Sequence, residues 1–100
     1  MNIIESIREM CARAWNTTPS VMSTPCRKTN VVDAKHAEAL ICSRVLGMSS
    51  AQLHKAIENQ RHRSTIRYRR IAALRKMETE PMFQLTVEII SKEALRLKQQ

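Results

Sequence analysis

The residues best suited to chemistry in this chain are basic, and they are concentrated in residues 61–76, which read RHRSTIRYRRIAALRK. Seven of the chain's 17 Lys and Arg residues lie there, and no carboxylate interrupts the sequence between Glu58 and Glu78. Because isoleucine, leucine and alanine recur among them, the pattern indicates a helix that packs on one side. Guanidinium and ammonium groups on such a helix bind phosphates, and arginine also pairs with the edge of guanine.

The first turns of this basic helix would meet bases, because a helix of this kind enters the major groove of duplex DNA with its N-terminus first. The candidate base-contacting residues are Arg63, Ser64, Thr65 and Arg67. In the alternative interpretation Ser64 and Thr65 only cap the helix, and the arginines are solvated. We expect Arg69, Arg75 and Lys76, farther along, to be solvated.

The sequence predicts neither catalysis nor metal binding. Cys11, Cys26 and Cys42 are odd in number and lack CxxC spacing, so buried thiols in a reducing cytoplasm are expected instead of disulfides or a zinc site. The histidines lack the spacing of a metal site, with His36 expected on the surface and His54 partly packed, and no serine lies in a glycine-flanked elbow. We therefore expect no enzyme activity, no cofactor and no small-molecule substrate.

Composition favours a single all-α domain over residues 1–100. The chain is 43% hydrophobic and contains one glycine and three prolines, which leaves few places for strands to turn. The net charge of +8 is uneven, with seven basic against five acidic residues in 1–58 and ten against four in 59–100. Such a patch attracts polyanions, of which nucleic acid is the commonest. The N-terminus lacks the apolar core of a signal peptide and no run could span a bilayer, so a cytoplasmic protein without a membrane partner is expected.

Apolar residues recur at helical spacing in six segments. The predicted helices span 2–15, 19–23, 31–46, 49–57, 63–77 and a sixth that begins at Pro81. Thr18 and Pro19 supply an N-cap and a first-turn proline for the second helix, and Gly47 a left-handed C-cap for the third. Ser49 or Ser50 is expected to cap the fourth.

The apolar stripes predict which helix faces are buried. In the third helix, which should be central, the stripe consists of Ala34, Ala37, Leu40, Ile41, Cys42 and Val45. In the sixth it consists of Phe83, Val87, Ile90, Ala94 and Leu97. In the fifth it consists of Ile66, Ala73, Leu74 and Met77. Arg70 falls inside that stripe and must extend its head to solvent, while Tyr68 and Ile71 face another side, where the last helix could cover them.

A short amphipathic helix, a polar connection and a longer basic helix form the outline of a helix-turn-helix over about 49–77. Over nearly the whole chain the order of features resembles the C-terminal DNA-binding domain of DnaA, the bacterial chromosomal replication initiator. IIESIREMCARAWNTTPSVM is similar to its first two helices, and CRKTNVVDAKHAEALICSRVLGMSSAQL to its basic loop, central helix and the first helix of the motif. RHRSTIRYRRI is similar to the signature of its recognition helix. The resemblance implies a compact bundle of about six helices, like Trp repressor, that binds double-stranded DNA.

Individual positions carry this resemblance. Arg61 matches the signature arginine, Ser64 and Thr65 match its two hydroxyl residues, and Ile66 matches its core valine. Lys35 falls where the family has an arginine that reaches into the minor groove. The resemblance thus implies DNA contacts in both grooves.

Other positions depart from the family. His62 replaces an aspartate, Arg63 replaces a histidine, and one residue is added within 58–60, where the family usually has two glycines. Arg63 could donate to guanine, so the family's usual box sequence is not the expected target. With Gly47 as the only glycine, the phosphate-binding loop of the initiator's ATPase is missing, and no ATPase activity is expected.

The expected partner is double-stranded DNA, in replication initiation at an origin or in transcription regulation. The family's domain binds as a monomer, which favours a monomer here, with a dimer as the open alternative. The candidates for contacts to the DNA backbone or the minor groove are Arg27, Lys28, Lys35, Ser49, Ser50, Lys55, Arg61, His62 and Arg70.

A second hypothesis makes the chain a helical adaptor for an acidic partner protein. Met22, Met48 and Met82 could form its contact surface, although methionines at such spacings are more often core residues. RNA binding is disfavoured, since the sequence offers no aromatic platform for stacked bases.

Overall fold

Local sequence signals set the ends of the helices. The computed structural model describes residues 2–57 and 63–100, with side chains for 2–56 and 65–100, and within these ranges every regular element is an α-helix. The helices are α1 (Ile3–Ala14), α2 (Pro19–Met22), α3 (Thr29–Leu46), α4 (Ser50–Ile57), α5 (Arg63–Thr79) and α6 (Pro81–Lys98). The all-α prediction is therefore confirmed, and the observed helix ends lie close to the predicted ones.

Two predicted helix caps, Thr18 and Gly47, and the predicted first-turn proline are present. The Thr18 hydroxyl accepts a hydrogen bond from the Val21 amide at 3.2 Å, and Pro19 opens α2. Gly47 has φ 64° and ends α3 in the left-handed region. No atom lies within 4 Å of a Cβ at this position, so the backbone angle alone favours glycine there.

The cap of α4 is a reciprocal pair. The Ser49 hydroxyl accepts from the Gln52 amide at 3.2 Å, while the Gln52 side-chain oxygen accepts from the Ser49 amide at 2.9 Å. This capping box selects Ser49 over Ser50 as the N-cap and fixes the first turn of α4.

α3 is the central helix, as predicted, and α1, α2, α4, α5 and α6 all pack against it. Each residue of its predicted apolar stripe is buried. Lys35, His36 and Glu38 are buried as well, so α3 is covered on nearly all sides. A charged side chain that is buried in this way requires a hydrogen-bond or ion-pair partner that compensates its charge.

Glu38 is fully buried and is paired with Arg8 on α1. The guanidinium Nε donates to Glu38 Oε2 at 2.6 Å and Nη2 donates to Oε1 at 3.0 Å, a two-point arrangement. The third nitrogen, Nη1, donates to the Ser23 hydroxyl at the end of α2 at 2.8 Å. One side chain thus connects α1, α2 and α3.

α5 is held against α3 by a stripe that differs from the predicted one. Ile66 and Ala73 are buried as expected, but Leu74 is 42% exposed and Arg69 is only 7% exposed. The expectation that Arg69 is solvated was therefore wrong. Positions 66, 69 and 73 follow steps of three and four, so Arg69 faces α3 and Leu74 turns away.

Lys76, also expected to be solvated, is half-buried. Its ammonium pairs with Asp33 in the first turns of α3 and lies 5.7 Å from the ring centroid of Phe83. Arg75, one position earlier, is exposed as predicted. The C-terminal end of α5 is thereby fixed to both α3 and α6.

α6 closes the other side of the core. Four residues of its predicted stripe, Phe83, Val87, Ile90 and Ala94, are buried, and the fifth, Leu97, is half-buried. The Phe83 ring meets Trp15 at the end of α1, with the two centroids 5.4 Å apart. Within the described ranges, no helix combines the length and the apolar character that crossing a membrane requires.

The ion pair between Arg8 and Glu38 yields a stability prediction. Glu38→Ala should lower the free energy of unfolding by about 3–5 kcal/mol, because it removes the carboxylate that compensates a guanidinium in a largely buried site. Glu9→Ala is the matched control. Glu9 pairs with Arg13 on the surface of α1, the helix that also carries Arg8, and loss of this exposed pair should cost less than about 1 kcal/mol. Urea denaturation measures both. Equal losses in the two variants would contradict a central role for the buried pair.

Candidate nucleic-acid interface

The N-terminal half of α5 has one buried and one exposed face. Ile66 and Arg69 face the core, whereas Arg67 is exposed and Tyr68 is 64% exposed. Arg63 and Ser64 occupy the first two positions of α5, and their side chains lie outside the described residues. The predicted base-contacting residue Arg67 therefore lies on a solvent-facing surface.

A cleft of about 580 Å³ adjoins this face and brings together residues that are far apart in sequence. Thr65 and Tyr68 of α5 line it on one side, and Arg27 of the α2–α3 connection lines it on the other. Lys35 and Arg69 also contribute to its wall. Arg27, Lys35 and Thr65, all predicted to contact DNA, thus share one concave surface.

The charged residues in the described lining of this cleft are basic, namely Arg27, Lys35 and Arg69. Burial, with smaller contributions from the positive charges of Arg69 and Lys35, lowers the pKa of His36 to about 4. His36 is 7% exposed, so the expectation of a surface histidine was wrong. Its ring meets the Tyr68 ring edge-on, with centroids 6.0 Å apart. The positive charges that line the cleft favour an anion such as a phosphate at its rim.

Lys35 is placed differently from what a minor-groove residue requires. It is 7% exposed, and its ammonium donates a 2.7 Å hydrogen bond to the Thr24 carbonyl. Arg27 and Lys28, in the connection just before α3, are exposed. In this structure they are the basic groups available to DNA beside the start of α3.

The remaining backbone candidates are distributed around α4 and α5. Lys55 is exposed, and Ser50 is half-buried. The Ser49 hydroxyl is engaged in the cap of α4. Arg70 is half-buried, and its guanidinium donates to the Ser43 hydroxyl at 3.4 Å. Arg61 and His62 lie outside the described residues.

Tyr68 is a candidate that the sequence analysis did not include. It was expected on a side where the last helix could cover it, but it is exposed and contacts α3 through His36. Tyr68 also lines the cleft. The sequence already indicated that Tyr68 is exposed, because it lies two positions after the core residue Ile66 and therefore on the opposite face of the helix.

The three cysteines form no disulfide. Cys11 and Cys42 are buried and Cys26 is half-buried. Burial, and then the nearby charge of Glu38, raises the pKa of the Cys42 thiol to about 12 and raises the pKa of Cys11 well above its usual range. Among the described residues, no group of three His, Cys, Asp or Glu side chains could hold a metal ion.

The three methionines of the adaptor hypothesis differ in their exposure to solvent. Met22 is fully buried and Met48 packs against the core, whereas Met82 is 72% exposed. The three methionines therefore do not form a common contact surface.

No protein family, curated protein or solved structure matches this chain.

The pKa of His36 predicts a pH dependence of stability. As the pH falls from about 6.5 to about 4, the unfolded chain takes up a proton on this imidazole before the folded chain does. The free energy of unfolding should therefore decrease by about 3 kcal/mol across this window, whereas His36 contributes little pH dependence above it. Chemical denaturation of the wild type and of His36→Phe at several pH values isolates the effect. A stability difference between the two proteins that stays constant from pH 7 to pH 4 would contradict it.

Proposed function

We propose that this chain is a non-enzymatic domain that binds double-stranded DNA sequence-specifically, with α4 and α5 acting as a helix-turn-helix. The observation that carries the proposal is the cleft at the N-terminal half of α5. It joins Thr65 and Tyr68 to Arg27, which is distant in sequence, and its other charged lining residues, Lys35 and Arg69, are also basic. A helix with basic residues on its outward face beside such a cleft is suited to duplex DNA, where bases and phosphates are reached together.

In this proposal the first turns of α5 enter the major groove. Arg67 and Tyr68 face outward there, and Arg63 and Ser64 precede them at the helix N-terminus. Arginine at these positions can donate two hydrogen bonds to the O6 and N7 atoms of guanine. Lys55 lies on α4, which packs on α5, and is suited to a phosphate.

Arg27 and Lys28 supply the contacts on the other flank. Both are exposed, and Arg27 lines the same cleft as Thr65. A strand that passes this cleft would meet these cations while α5 occupies the neighbouring groove. This assignment fits the resemblance to the DnaA C-terminal domain. Arg27 and Lys28 would then make the minor-groove contact that the resemblance assigns to Lys35. A role in replication initiation or in transcription regulation in the cytoplasm follows from that resemblance.

Not every basic residue of α5 is available to DNA. Arg70 and Lys76 contact Ser43 and Asp33 of α3, and Arg69 is buried. With Arg63 and Arg67 assigned to bases, the phosphate contacts are assigned to Arg27, Lys28, Lys55 and Arg61. Each such contact releases a counterion and contributes about −0.9 to the slope of log affinity against log salt.

The salt dependence of binding tests the phosphate contacts. Fluorescence anisotropy with a mixed-sequence duplex should give a slope of about −4 for the wild type, and Arg27→Ala should make it shallower by about one unit. Arg13→Ala removes the same charge from the exposed end of α1 and should leave the slope unchanged. A salt-independent affinity, or equal changes in both variants, would refute the assignment.

Base readout requires a separate test on the sequence that the protein prefers, obtained by selection from a random duplex library. Arg63→Ala should weaken binding to that duplex by about 1–3 kcal/mol and relax the preference at one base pair. Lys55→Ala should weaken binding to all duplexes alike, because it contacts phosphate. Gel-shift titrations of single-base-pair variants distinguish the two effects. If both substitutions reduce affinity uniformly, Arg63 does not read a base.

A further inference from the structure

α6 carries a second apolar stripe on the side away from the core. Met82 is 72% exposed, Leu85 50% and Ile89 59%, and they follow one another at steps of three and four residues. This outer stripe of α6 (Met82, Leu85 and Ile89) lies roughly opposite the buried stripe that begins with Phe83. Exposed apolar side chains aligned along one helix face indicate a contact surface, whereas single ones do not.

The C-terminal half of the same face borders a groove between α1 and α6. Its volume is about 660 Å³, and Met10 and Ala14 of α1 and Ile89 and Ile90 of α6 form its apolar wall. Lys92 and Arg96 stand at its rim. α6 therefore has projecting apolar side chains at one end and an apolar groove at the other.

We propose that a second copy of this chain covers this face, with the two α6 helices antiparallel and crossing near Ile89. In this arrangement Leu85 and Met82 of each copy lie over the groove of the other, and the two Ile89 side chains meet at the two-fold axis. The surface is self-complementary, as an isologous dimer requires, because one patch supplies both the projection and the groove.

Charge selects the antiparallel orientation. Parallel helices would place Lys92 beside Lys92 and Arg96 beside Arg96. Antiparallel helices bring Glu88 of each copy close to Lys92 of the other, twice by symmetry. Both residues are exposed on the flank of the outer stripe, and within the described part of the chain neither forms an ion pair. Complementary charges of this kind set the orientation of paired helices.

The full chain without DNA provides the test, so the result is independent of the proposed function. Sedimentation should show a dimer that dissociates in the micromolar range. Leu85→Glu, which alters the projection, and Ala14→Trp, which fills the groove, should each weaken dimerisation at least about tenfold. Leu74→Glu introduces the same charge at an exposed apolar position of α5 and should leave the dimer intact. Circular dichroism confirms that each variant is folded.

A charge exchange tests the orientation. Glu88→Lys and Lys92→Glu should each weaken the dimer, and the double variant should restore it, because the two charges then attract across the interface again. A wild-type chain that sediments as a monomer throughout the micromolar range overturns the proposal. So does a dimer that tolerates both Leu85→Glu and Ala14→Trp, or a double variant that remains as weak as the single ones.

Discussion

Glu38 has no exposed surface, and its carboxylate lies on the face of α3 that packs against α1. A charge there is tolerable only with a partner of opposite sign and well-aligned hydrogen bonds, which Arg8 provides at 2.6 and 3.0 Å. The requirement fixes how α1 lies on α3, and the bond from Arg8 to Ser23 extends it to the end of α2. With α1 and α2 fixed in this way, the connection that carries Arg27 and Lys28 starts from a defined place beside α3.

The same principle explains how α5 is presented. Lys76 pairs with Asp33 near the start of α3, and Arg70 reaches Ser43 near its end, so α5 is attached at two points along the central helix. Basic residues that a charge count assigns to a binding surface thus serve partly to hold the helix in place. Among the described side chains of its N-terminal half, Arg67 and Tyr68 face outward, whereas Ile66 and Arg69 are buried.

Helix positions and caps could be predicted because they depend on neighbouring residues. The spacing of apolar side chains located every helix, and Gly47, Thr18 and Ser49 marked helix ends through local hydrogen bonds. Buried charges could not be predicted with the same ease, because Arg8 and Glu38 are 30 positions apart. A signal existed nonetheless. Glu38 stands between Ala34 and Ile41 in the apolar stripe of α3, as Arg69 stands between Ile66 and Ala73 in α5, and a charge within such a stripe indicates a buried group whose partner must come from another helix.

DNA binding through the outward face of α5 is the central claim, and nuclear magnetic resonance tests it without a prior choice of variants. Backbone amide shifts of the full chain should be followed during titration with duplex DNA. If α5 binds DNA, the largest amide shift changes should occur in the first half of α5 and in the connection that contains Arg27 and Lys28. The amides of α6 around Leu85 and Ile89 should shift little. Changes confined to α6, or none at all at low salt, would contradict it.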